Sequence, residues 1–132
     1  MNIPKFVKEQ GLPDGEFIVV ASGILDALNI RESKDIDLVV SENLYIDLIN
    51  KGWVEVDKGE YKVIEKDPFE AGLSWDSDEN ENPNLIDLLS EATYIKEIPF
   101  ANLNRVRAWK AKMGREKDIK DIKLIDDYIN KN

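Results

Sequence analysis

Arg31-Glu32-Ser33-Lys34-Asp35-Ile36-Asp37-Leu38-Val39-Val40 is the stretch on which the reading of this 132-residue chain turns. On a strand, residues i and i+2 point to the same face, so Asp35 and Asp37 project together at the head of an apolar run. Two carboxylates this close resist ionising together unless a cation sits between them. Hard oxygen donors paired in this way suit Mg²⁺, which takes one or two protein carboxylates and completes its shell with water and substrate phosphates. In isolation, the pair reads more simply as the acidic solvent face of a strand. What surrounds it decides between the two.

Upstream, Phe17-Ile18-Val19-Val20 is a continuous apolar run of strand length, the mark of a strand buried on both faces. Ala21-Ser22-Gly23 breaks it, and Ile24, Leu25, Ala27 and Leu28 follow at helical spacing. Residues 29–34 are a loop. Farther back, residues 3–10 read as a short helix stopped by Gly11, with a turn at residues 12–15. Downstream, Ser41 caps a helix whose apolar face is Leu44, Tyr45, Leu48 and Ile49, ending at Lys51-Gly52. Residues 53–56 and 61–64 alternate around a polar turn and predict a β-hairpin, and residues 69–75 predict a further strand.

Residues 76–83 form an acidic loop that matches the first half of a calcium loop at Asp76, Asp78 and Asn80. Glu81 stands where the sharp turn needs glycine, and Asp87 where glutamate is expected, so a solvated loop is the better reading. Residues 84–92 are helical, with Leu85, Ile86, Leu88 and Leu89 apolar, and residues 94–98 are extended. Asn102 caps a helix running through Met113 to Gly114. A last helix over residues 116–128 is expected to bury a stripe of Ile119, Ile122, Ile125, Tyr128 and Ile129.

These elements predict a single α+β domain over residues 1–132, a mixed twisted sheet flanked by helices. Its core spans about residues 14–100, and a basic helical segment about residues 101–132. Net charge is −9, unevenly spread: residues 1–100 carry 9 Lys+Arg against 22 Asp+Glu, residues 101–132 carry 9 against 5. An acidic body with a basic end can join a cation site to a phosphate-binding surface. The chain has no cysteine and no histidine, which excludes disulfides, thiolate or histidine-based nucleophilic catalysis, and Cys/His zinc sites. The N-terminus lacks a signal-peptide core and no apolar run reaches membrane-span length, so a cytoplasmic protein without membrane partners is expected.

The order strand, Ala21-Ser22-Gly23 at a helix start, spacer 23–34, then Asp35-Ile36-Asp37 resembles the nucleotidyltransferase superfamily that includes DNA polymerase beta. The signature there is an apolar residue, Gly, Gly or Ser, a short spacer, and Asp-apolar-Asp. Residues 31–37 also resemble the Arg-x-Thr-x-Asp-apolar-Asp form of small members. The segment from Ile98-Pro99-Phe100 through Ala108-Trp109-Lys110 to Gly114-Arg115-Glu116-Lys117-Asp118-Ile119-Lys120-Asp121 is similar to the C-terminal end of stand-alone bacterial and phage nucleotidyltransferase-like proteins.

The resemblance implies a nucleotidyltransferase fold and Mg²⁺-dependent transfer of a nucleoside monophosphate from a nucleoside triphosphate to a hydroxyl on a small molecule, RNA or protein. It casts Asp35 and Asp37 as catalytic metal ligands, joined by a third carboxylate. Glu70 is the first candidate for that place, Asp76 the second and Glu55 the third. Ser22, Gly23, Arg31, Lys110 and Lys117 become nucleotide-binding candidates, with Arg115 behind Lys110. Helical ion pairing among Arg115, Lys117, Asp118 and Asp121 is the competing reading of the basic segment. Ala21 departs from the usual glycine, where a methyl group crowds a close backbone approach. That departure supports an alternative: a catalytically inactive binding module, for example part of a toxin–antitoxin or phage-defence pair. With little chain beyond the core, the acceptor is expected to bind through a homodimer or a partner protein. An unrelated acidic α+β domain is the third reading.

Overall fold

A computed structural model describes residues 1–75 and 84–131. Asp76, and with it the calcium-like stretch through Glu81, lies outside the described residues. Helix α1 (Ile3–Glu9) precedes strand β1 (Phe17–Val20), helix α2 (Gly23–Ala27) and strand β2 (Ile36–Val40). Helix α3 (Glu42–Asn50) leads to strands β3 (Val54–Asp57), β4 (Lys62–Lys66) and β5 (Phe69–Gly72). After α4 (Leu85–Leu89) come β6 (Thr93–Ile95), β7 (Ile98–Phe100), α5 (Leu103–Met113) and α6 (Glu116–Lys131).

The strands form one seven-stranded mixed sheet in the order β3-β4-β5-β2-β1-β7-β6. β1 and β2 run antiparallel at its centre, and each has a parallel neighbour, β7 on β1 and β5 on β2. Their continuous apolar sequences follow from this central place: every residue of β1 is buried, and in β2 only Asp37 is not. Ile18, Ile24, Leu25, Ile36, Ile64, Leu88, Phe100 and Ile125 are among the fully buried side chains of a single core. The α+β class and mixed sheet are as the sequence predicts.

Local chemistry sets the helix ends. Ser41 Oγ accepts from Leu44 N–H at 3.1 Å, and Asn102 Oδ1 from Arg105 N–H at 2.8 Å. Asn84 and Asp87 form a reciprocal capping box at α4. Gly114 ends α5 in the left-handed conformation, φ 62°.

Three expectations need correction. The extended stretch at residues 94–98 is a tight hairpin, Tyr94 opposite Pro99 and Ile95 opposite Ile98. Its turn residues, Lys96 (φ 50°) and Glu97 (φ 72°), are both left-handed, the geometry usually signalled by Asn-Gly. The strand expected to reach residue 75 ends at Gly72. The third correction concerns α6, where Ile119 and Ile129 face solvent (61% and 44% exposed) and the helix turns Asp118, Asp121 and Ile125 inward. Burying two carboxylates is tolerable only against cations, and those stand opposite. Among the described residues, no helix is long and apolar enough to cross a membrane.

Candidate functional site

The register of three central strands gathers the carboxylates. Asp37 lies opposite Val20 on one side and Glu70 on the other. As in-register partners on adjacent parallel strands, Asp37 and Glu70 project from the same face, about 4.8 Å apart along the hydrogen-bonding direction. Asp35 sits just before β2 and is exposed. The Asp37 carboxyl is pushed up to about 6: burial is the largest cause, the charges of Glu70 and Asp35 add to it, and Lys117 and Lys110 partly offset it. A hard cation relieves this kind of like-charge crowding, so the donor set fits Mg²⁺. As the side chains stand, no three such groups among the described residues converge closely enough to hold an ion. Glu55 lies farther off, on edge strand β3, where it accepts a hydrogen bond from Tyr45 Oη at 2.9 Å. Register therefore sets Glu70, and not Glu55, beside Asp37.

A buried ionic network stands beside this pair. Lys110 Nζ, on α5, is 2.9 Å from Asp121 Oδ2 and 3.7 Å from Asp118 Oδ1, and donates to Ser22 Oγ at 3.0 Å. Arg31 grips Asp121 with two bonds, 2.6 and 2.7 Å, and also donates to Ser22 Oγ at 3.0 Å. Arg115 forks onto Asp118 at 2.6 and 3.1 Å. Burial pushes the Asp121 and Asp118 carboxyls up, but their Arg and Lys partners outweigh it and hold both below the usual range. Asp26 also acts on Arg31, and of these cations Lys110 is the one whose charge reaches the Asp37 carboxyl.

This changes the roles expected of the basic residues. Lys110 and Arg31 are bound to Asp121 and fix the Ser22 hydroxyl between them. Lys117, exposed at the start of α6, acts on the Asp37 carboxyl from a distance. Local pairing of Arg115 with Asp118 was legible in the sequence. The reach of Asp121 to Arg31, 90 residues away, was not. The spacing of Asp118, Asp121 and Ile125 along one helical face was the available signal.

The turn after β1 is specific to its sequence. Ala21 holds φ 56°, the left-handed region, which costs a residue with a Cβ about 1–2 kcal/mol. A glycine would take this conformation freely. Gly23 is required for packing, because a Cβ there would overlap Val19 Cγ1. Helix α2 has five residues, so its dipole adds little toward an anion.

Asp37, Glu70 and Ala21 line a cleft of about 780 Å³. Trp75, Trp109, Met113 and Arg115 also line it, as do Tyr45 and, from the β3–β4 hairpin, Glu55, Glu60, Tyr61 and Lys62. The indoles of Trp75 and Trp109 meet at 5.0 Å, tilted by 45°. Neither was singled out in the sequence, where an isolated tryptophan signals nothing beyond core. No protein-family model, curated protein or solved structure significantly matches the chain.

Proposed function

We propose that this protein is a Mg²⁺-dependent nucleotidyltransferase, moving a nucleoside monophosphate from a nucleoside triphosphate to a hydroxyl acceptor. The observation that carries the proposal is the in-register pair Asp37 and Glu70, crowded in the lining of a cleft and within the field of Lys117 and Lys110. In this reading Asp37, Glu70 and Asp35 hold Mg²⁺. When bound, the ion neutralises and orients the triphosphate oxygens. Lys117 draws the polyphosphate toward the carboxylates, and the Ser22 hydroxyl, held by Arg31 and Lys110, fixes the turn against it. In this reading Glu70 accepts the proton of the acceptor hydroxyl as its oxygen bonds to the α-phosphorus and pyrophosphate leaves. Cleft volume fits a nucleotide-sized ligand.

The second reading is a nucleotide- or protein-binding module without transfer, such as one component of a toxin–antitoxin or phage-defence pair. It is favoured by Ala21 in the glycine conformation and by Lys110 and Arg31 being engaged by Asp121. Calorimetry with each nucleoside triphosphate and Mg²⁺ tests binding, and label transfer from α-³²P-labelled triphosphates to a cell extract tests chemistry. The enzyme reading expects a labelled product that Asp37→Ala abolishes. Binding without any product supports the module, and no nucleotide binding at all refutes both nucleotide readings.

A further inference from the structure

The Trp75–Trp109 pair in the cleft lining has a chemistry of its own. Trp75 is buried at the end of the sheet, and Trp109 is half-buried on α5, one residue before Lys110. Both indoles line the cleft that holds Asp37 and Glu70. Trp109 also has two cations against its ring, Lys110 Nζ at 5.4 Å and the Arg115 guanidinium at 5.5 Å from the centroid. Each cation has a carboxylate partner, Asp121 and Asp118 respectively. The ring is thus fixed by tilted contact with Trp75 and by neutralised cations, while part of it faces the cleft.

We propose that Trp109, held by Trp75, is the stacking platform for the base of the nucleotide whose triphosphate lies at Asp37 and Glu70. This rests on the nucleotide reading of the cleft and adds the residue that grips the base. A fixed indole with an accessible part of its surface binds a flat heteroaromatic ring without hydrogen-bond readout, so the platform tolerates different bases. Glu55, Glu60 and Lys62 of the β3–β4 hairpin also line the cleft; in the proposed arrangement the triphosphate lies at the Mg²⁺-loaded carboxylates and the base on the Trp109 ring.

The test uses intrinsic fluorescence and calorimetry on the full chain with Mg²⁺. The third tryptophan, Trp53, packs on Phe69 and is absent from the cleft lining, so its emission is a constant background to the signal. A nucleoside triphosphate is expected to quench tryptophan emission, whereas inorganic tripolyphosphate, which has no base, binds without quenching. Trp109→Leu is expected to weaken nucleoside triphosphate binding about tenfold and to leave tripolyphosphate affinity unchanged. Trp109→Phe keeps an aromatic face and the fold, and is expected to lose less than Trp109→Leu. The platform is overturned if nucleotides bind the wild type by calorimetry while emission stays constant and Trp109→Phe and Trp109→Leu both bind within twofold of it. Absence of any nucleotide binding to wild type overturns the cleft reading itself, and the platform with it.

Discussion

Replacing Lys110 with methionine probes the ionic network directly. Lys110 and Asp121 are both almost fully buried, with side chains 3% and 6% exposed. Removing one partner of a buried pair costs about 3–5 kcal/mol, because the other charge is left without compensation. Here Asp121 keeps both bonds from Arg31 and Asp118 keeps its fork from Arg115, so the cost falls at the lower end of that range. Methionine fills the space of the aliphatic stem, and little packing is lost. The expected loss is about 3 kcal/mol, a fall in Tm of roughly 10 °C for a domain this size. Urea unfolding at pH 7, followed by circular dichroism, measures it. A double-mutant cycle with Asp121→Asn should show that the two changes together cost less than their sum. The sign of the pH effect follows from the acids. Asp118 and Asp121 titrate below their unfolded value of 3.8, so their stabilisation is present above that pH and is lost as pH falls through their folded values. The gap between wild type and Lys110→Met should therefore narrow below about pH 4. A loss under about 1 kcal/mol at pH 7, or strictly additive substitutions, would refute the view that this network fastens α6.

Other substitutions address the lining of the cleft and its turn. Asp37 has the opposite sign: its carboxyl titrates near 6 instead of 3.8, so its contribution is most favourable below pH 3.8 and is lost as pH rises through 6. Asp37→Asn is expected to stabilise the protein by up to about 3 kcal/mol at pH 8 and hardly at all at pH 3.5, and thermal melts at both values check this. Those melts with added Mg²⁺ should show a rise in Tm at pH 8 for the wild type that is smaller at pH 5 and absent in Asp37→Asn. Ala21→Gly is expected to be neutral to about 1 kcal/mol stabilising in urea, since relief of the left-handed strain outweighs the added unfolded-state entropy; a clear loss would show that the turn is unstrained. Gly23→Ala should destabilise by about 1–3 kcal/mol, and pairing it with Val19→Ala should recover part of the loss if overlap with Val19 is the cause.

The central strands were legible because strands buried on both faces cannot hide. Phe17–Val20 and Ile36–Val40 are the bounds their apolar runs predict. Asn102 and Gly114 marked α5 equally well, because capping chemistry is local. The β6–β7 hairpin was missed because Lys96 and Glu97 have no intrinsic preference for positive φ, and pairing with β1 through β7 imposes it. Helix α6 misled for a different reason. Ile119 and Ile129 carry the period of a buried face, yet the inward face is decided by Arg31 and Lys110, whose positions no local pattern encodes. Asp37 stood out in the sequence by its spacing from Asp35 together with the elements around the pair. Glu70 was a ranked choice until strand register set it beside Asp37.

The contacts of Ser22 link distant parts of the chain. Its hydroxyl is held by Lys110, 88 residues later, and Arg31 is steadied by Asp121, 90 residues after it. During synthesis the strands bearing Asp37 and Glu70 emerge well before α6. A ribosome that has made the whole sheet has therefore not yet made the residues that lock the turn beside it. A nascent chain stopped short of Asp121 leaves Arg31 and Lys110 deprived of their shared anchor, so the Ser22 turn is fastened only after α6 has emerged.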